Sequence, residues 1–195
     1  VFSITGKPDQ YHTAGYYYDV DKHNLFMIGG YGWYRTKNHI QRFDFTQSKW
    51  DTLAVWGDQF HPRDNVAVLN GPDPNCIYIF GGVGNESGMQ ERGWHKFYDF
   101  WKFNRQTLEL KKVHTFDLLK EHNKASLGYS EEINHFIISV KMSKDSPVEV
   151  LIIDPETYAV DYRSTIPNSE ADDLDGLLKP FIGRKTGKLT IVTRK

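Results

Sequence analysis

The apolar positions of this chain fall in short runs, each stopped by a polar or glycine-rich break. Two runs stand out: Asn24-Leu25-Phe26-Met27-Ile28 and Cys76-Ile77-Tyr78-Ile79-Phe80, followed directly by Gly29-Gly30 and Gly81-Gly82. Runs this short, bounded by turn formers, have the length of strands and are too short for helices. Farther along come the aromatic–polar alternations Arg42-Phe43-Asp44-Phe45 and Trp101-Lys102-Phe103-Asn104, with the two-residue period of a half-buried strand. The pattern predicts strands over residues 13–18, 24–30, 39–45 and 49–54, then 65–70, 76–82, 96–104 and 108–114. A third set is predicted over 124–130, 135–140, 148–154 and 159–163, and two more strands at 179–184 and 188–193. Dense turn chemistry such as Gly71-Pro72-Asp73-Pro74-Asn75 separates them. Helical periodicity is nearly absent, with room for one turn over residues 116–121.

These runs repeat. Gly29 and Gly81 are 52 residues apart, near the roughly 50-residue period of kelch repeats. Phe43, Asp44 and Trp50 correspond to Phe103, Asn104 and Leu110, and again to Ile153, Asp154 and Val160. Asn134-His135-Phe136-Ile137-Ile138 matches the first apolar run, with Ser139-Val140 in place of the glycine pair, and Lys188-Leu189-Thr190-Ile191-Val192 begins a truncated fourth copy. The order of apolar strand, Gly-Gly, variable loop, aromatic strand and Trp resembles the kelch motif. That resemblance implies an all-β chain, a kelch-type β-propeller portion of three full four-stranded antiparallel blades plus part of a fourth. The blades would span about residues 11–54, 64–114, 124–163 and 179–195. Within such blades the glycines end the second strand where a side chain would crowd the backbone. Phe43, Phe45, Trp50, Phe100 and Phe103 would fill the space between blades, and Tyr16, Tyr17 and Tyr18 would line core and channel. Kelch propellers use more blades than these, so the chain is expected to be continuous with further blades, residues 1–4 forming an outer strand of a preceding one. A small four-bladed ring closed by residues 1–4 is the alternative.

Composition narrows the function classes. With 195 residues, 14% aromatics and 16 glycines the chain suits a single all-β domain of short strands. A net charge of −1, with basic residues dispersed among acidic ones, gives no reason to expect nucleic acid as partner. No apolar run reaches the roughly 18 residues of a membrane-spanning helix. Cys76, the single cysteine, sits within an apolar run and is expected buried in a strand. The eight histidines lack paired ligand spacing, and no metal or other cofactor is expected from them. The galactose oxidase propeller, which shares this repeat, carries copper on histidines and tyrosines with a cysteine cross-link; Cys76 is placed wrongly for that. The acidic run Glu170, Asp172, Asp173 and Asp175 lacks the order of a calcium loop and reads as a solvated connector.

The informative side chains gather in the longer connections. Loops between second and third strands carry Trp33, Tyr34 and Arg35 in one copy and Met89, Glu91, Arg92, Trp94 and His95 in the next. Strand alternation puts these loops at the same end as the connections between blades, which add Trp56, Asp58, Phe60, His61 and Arg63. Rings beside Arg, Asp and His suit a protein partner or a glycan, rings stacking while charges orient. The leading expectation is a non-catalytic binding module whose site residues are Trp33, Tyr34, Arg35, Trp56, His61, Arg63, Glu91, Arg92, Trp94 and His95. One alternative is a sugar-acting kelch propeller enzyme such as a sialic-acid mutarotase, with Arg35, Arg63 and Arg92 binding a carboxylate and Glu91 or His95 moving protons. Another is the sensor ectodomain of a larger signalling protein. Packing of the loop tryptophans against the sheets is the plain alternative to all three.

Overall fold

The computed structural model describes residues 12–119, 124–141, 146–167, 179–182 and 189–192. The expectations for residues 1–4 and for Glu170, Asp172, Asp173 and Asp175 lie outside the described residues. Strands dominate; among the described residues there is no α-helix, only the 3-10 turns Gln90–Arg92 and Asp117–Leu119. No described helix is long and apolar enough to cross a membrane.

Three sheets repeat one plan, four strands joined in consecutive order. The first contains Gly15–Asp19, Asn24–Ile28, Ile40–Asp44 and Lys49–Thr52, all antiparallel. The second contains Ala67–Leu69, Cys76–Phe80, Asp99–Asn104 and Glu109–Thr115. Trp56–Gly57 is added parallel to Glu109 and Leu110 at its outer edge. The third contains Lys124–Ser130, His135–Lys141, Val148–Ile153 and Val160–Ile166, again antiparallel. Lys179–Ile182 and Leu189–Val192 form a further antiparallel pair.

The repeat extends to single hydrogen bonds. Gly29 and Gly30 have φ of 63° and 109°, Gly81 and Gly82 φ of 68° and 101°. Gly29 N–H donates to His39 O at 2.9 Å, as Gly81 N–H does to Asp99 O at 3.1 Å. Lys37 N–H donates to Gly30 O at 2.8 Å, as Phe97 N–H does to Gly82 O at 2.9 Å. A Cβ on Gly29 would lie 2.4 Å from Arg63 O, and one on Gly82 2.7 Å from Asp64 O. Left-handed backbone and close approach together make these positions fit only for glycine. Turns between third and fourth strands repeat too. The Oδ1 atoms of Asp44, Asn104 and Asp154 each accept backbone N–H groups from two and three residues ahead. Ser48, Leu108 and Tyr158 close the three turns with φ of 51°, 61° and 58°.

Two compact units follow, one from the chain up to Val68 with Asn75–Val113, the other from Leu69–Pro74 with the chain from His114 on. In the first unit the two sheets pack face to face. Phe26, Ile28 and Ile40 of one meet Ile77, Ile79, Trp101, Phe103 and Leu110 of the other, with Phe60 and Val66 between. Arg105 clamps Asp19 across the same unit. Cys76 is buried in its strand as expected. In the second unit Phe136 through Lys141 is buried along one continuous strand, and Lys179–Ile182 lies beside Lys124–Ser130.

The expected aromatic filling needs correction on the first sheet. Phe100 and Phe103 are fully buried, whereas Phe45 is 49% exposed, Tyr16 54% and Tyr18 47%. Phe43 and Trp50 are half-buried. Alternation is the reason: Tyr17 turns toward the second sheet, so its neighbours Tyr16 and Tyr18 must point the other way. There Tyr18 meets Phe45 edge-on at 5.8 Å, and Phe43 lies 4.8 Å from Phe45 and 5.3 Å from Trp50.

Candidate functional site

The connection after Gly30 is itself β-structured. Tyr31–Gly32 and Arg35–Thr36 pair as a hairpin with Gly32 opposite Arg35, leaving Trp33 and Tyr34 as its two-residue turn. Both have positive φ, 55° and 60°. Such turns favour Asn-Gly, because left-handed backbone costs a side-chain-bearing residue on the order of 1–2 kcal/mol. Two bulky aromatics here are an outlier of the kind stored at functional sites. Trp33 is 83% exposed and Tyr34 77%. Their burial therefore does not offset the strain.

The neighbouring loop holds this turn. Thr36 N–H donates to Gly88 O at 2.8 Å, and Gln90 N–H to Tyr34 O at 3.2 Å. Tyr31 Oη donates to Gln90 Oε1 at 2.5 Å, while the Tyr31 ring meets Trp94 edge-on at 5.3 Å. The second loop is ordered by Asn85, whose Nδ2 donates to Met89 O at 2.9 Å and Gly93 O at 2.6 Å. Ser87 Oγ donates to Asn85 Oδ1 at 2.7 Å and accepts Met89 N–H at 3.1 Å. Glu91 and Arg92 ride exposed on the 3-10 turn, beside the partly exposed Trp94 and exposed His95. Trp33, Tyr34 and Arg35 are thus brought to the same stitched pair of loops as Glu91, Arg92 and Trp94.

Arg63 lies beneath, not among them. Its side chain is fully buried, paired through both terminal nitrogens with Asp99. Nε donates to His61 O at 3.0 Å and Nη1 to Gly81 O at 3.1 Å. The rings of Phe97 and Phe60 cover the guanidinium at 3.8 Å and 4.3 Å. Burial pulls the Arg63 pKa down, and hydrogen bonding and attraction from Asp99 oppose it. Its main chain ties the loops together as well, accepting Gly30 N–H at 2.8 Å and donating to Lys37 O at 2.9 Å. Asp64 beside it is buried, which raises its pKa against the hydrogen bond from Thr13 Oγ1 at 2.9 Å. Burial likewise lowers the pKa of Lys96.

His61 and His95 flank the other ring of this layer, Phe97, at 6.1 Å stacked and 4.6 Å edge-on. Trp56 sits apart. Its N–H donates to Leu108 O at 3.2 Å and its Nε1 to Thr107 O at 2.8 Å. Phe80 pairs with Phe100 and Cys76 with Asn104, so the loop bearing Arg92 and Trp94 leaves at one end of the second sheet. The turn beside Trp56 is at the other end. Comparison with known families and curated proteins returns no match.

Sequence reasoning passed over Tyr31, Gln90, Asn85 and Asp99. Asn85-Glu86-Ser87-Gly88 carries a readable turn signal. Asp99 carries none, because its partner is 36 residues away. Chemically the surface offers exposed rings, the arginines Arg35 and Arg92, and the carboxylates of Glu86 and Glu91 on hydrogen-bonded loops. The proposed sugar-acid site loses one of its arginines, since Arg63 is committed to Asp99.

Proposed function

We propose that the chain is part of a kelch-type β-propeller that binds a protein partner through the Trp33–Tyr34 hairpin tip. The propeller reading is supported by the three matched sheets and by the face of the first that is turned away from the second. There Leu25, Met27, Phe43 and Trp50 occupy the places of Ile77, Ile79, Phe103 and Leu110, which the second sheet uses to pack against the first. The same side of the first sheet is equipped for another sheet of this kind.

The binding reading rests on one observation: adjacent aromatic residues are held in left-handed backbone at an exposed apex. A glycan asks for a flat or concave platform, whereas an apex inserts into a pocket of a protein partner. Exposed aromatics and arginines on pre-ordered backbone are typical anchors of protein interfaces. Arg35 and Arg92 give that contact its charge. No turnover is required of this surface.

The test replaces Trp33 with Asn and Tyr34 with Gly, the residues this turn geometry favours. The variant is expected to gain about 1–2 kcal/mol in denaturant unfolding while losing capture of the partner bound by the native protein. Retained capture would remove the tip from the interface. A glycan-array signal abolished by the same variant would favour a carbohydrate ligand instead.

A further inference from the structure

The third sheet carries a side-chain cluster that the other two lack. A ring nitrogen of His135 and one carboxylate oxygen each from Asp154 and Asp161 lie within 4.8 Å of one another. His135 Nε2 is 2.9 Å from Asp161 Oδ2, and His135 Nδ1 is 2.5 Å from Ile133 O. A histidine that donates Nδ1–H to a carbonyl presents a basic Nε2, the usual arrangement behind a metal-ligating imidazole. Asp154 spends Oδ1 on its turn, which leaves Oδ2 for a ligand. His135 and Asp161 are partly open to solvent, 27% and 47% by side chain, so an ion can enter.

The repeat supplies an internal control. Leu25 and Ile77 stand where His135 stands, so the fold itself asks for an apolar residue there. His135 precedes Phe136, which pairs with Ile153, so it stands across the ladder from Asp154. On the other side, Ile153 pairs with Val160 but Ile152 with Tyr162, leaving Asp161 as the extra residue of a bulge. The first sheet pairs Gln41–Asp44 with Lys49–Thr52 without such a shift. Bulges re-aim side chains, and this one carries a carboxylate to the histidine.

We propose that His135, Asp154 and Asp161 form a binding site for one divalent transition-metal ion of the zinc class. One imidazole and two carboxylates are donors suited to zinc or cobalt, with water completing the shell, and the two negative charges neutralise the ion. Such an ion would clip the second, third and fourth strands of the sheet at the bulge.

The experiment titrates chelator-treated protein with cobalt, read by d–d absorption, and with zinc, read by calorimetry. The expected result is saturable binding of one ion per chain and a higher Tm in its presence. His135→Leu installs the residue found at the matching place in the first sheet, so the fold is preserved. It should weaken binding by more than about tenfold, since loss of even an outer partner costs about 10–100-fold. Asp161→Asn should weaken it as well. Absence of saturable uptake by the native chain, or unchanged affinity in His135→Leu, would overturn the proposal.

Discussion

The first two sheets and the third answer the same topological question differently. After the second strand, Gly29-Gly30 and Gly81-Gly82 enter left-handed backbone and leave the ladder. At the matching place Ser139 and Val140 stay in it, paired with Val150 and Glu149. The glycine pairs release long loops that meet and stitch together through Thr36, Gly88, Tyr34 and Gln90. Where side chains replace them the strand runs on to Lys141. A difference of two residues thus separates a strand that leaves the ladder from one that stays in it. The third sheet places its distinctive chemistry at the opposite end, on His135, Asp154 and Asp161.

The largest expected effect comes from giving the first sheet the third sheet's residues. Gly29→Ser with Gly30→Val places two side chains in left-handed backbone, at about 1–3 kcal/mol each. It also sets a Cβ 2.4 Å from Arg63 O. The sum should reach about 5 kcal/mol and unfold the first unit under mild denaturant, read as loss of tryptophan burial. A variant of native stability would mean that the glycine pairs do not define the loop layer.

Next in size is the clamp that distinguishes the second sheet from the first. Asp99 holds Arg63, whereas the matching position in the first sheet is His39. Asp99→Ala leaves a fully buried guanidinium without its counter-ion and should cost about 3–5 kcal/mol in denaturant unfolding. Arg63→Met combined with Asp99→Leu should recover most of that loss, because a buried pair replaced by apolar groups is often neutral. No recovery in the double variant would show that Arg63 is needed for its bonds to His61 O and Gly81 O.

Much of this architecture is legible along the chain because its determinants are local. The apolar runs, the glycine pairs and the Asp or Asn of each third turn act on their own few residues. Their spacing therefore carries the plan of three sheets. Contacts made at a distance leave no such trace. Arg63 reads as an exposed loop cation until Asp99, Phe60 and Phe97 close round it. Trp56 follows an outer strand edge to Thr107, against the alternation that would place it with Trp94. Asp161 alternates away from His135 unless a bulge intervenes, and the residues around it do not announce one. Strand pairing inside the loops is invisible for the same reason: Arg35 meets Met89 and Thr36 meets Gly88 only after the two sheets pack.

The smallest effect compares turns that share a shape but not a charge. Asn104 Oδ1 accepts Gln106 N–H at 2.8 Å and Thr107 N–H at 3.0 Å, while Asp154 Oδ1 accepts Glu156 N–H at 2.9 Å and Thr157 N–H at 2.6 Å. Hydrogen bonds from the Thr157 backbone and side chain hold the Asp154 pKa below its ordinary value. A carboxyl with a depressed folded pKa stabilises the fold above its unfolded pKa, and that contribution is lost as pH falls through the folded value. In metal-free protein the amide proton shifts of Glu156 and Thr157 should therefore titrate with a midpoint below the usual aspartate range of about 3.9. Those of Gln106 and Thr107 should show no such step, because a neutral amide accepts the same bonds at every pH. Asp154→Asn should abolish the acid step and leave the turn intact, since Asn104 already performs that task in the second sheet. A step that survives the substitution would have to come from another group, and the turns would then differ by more than one proton.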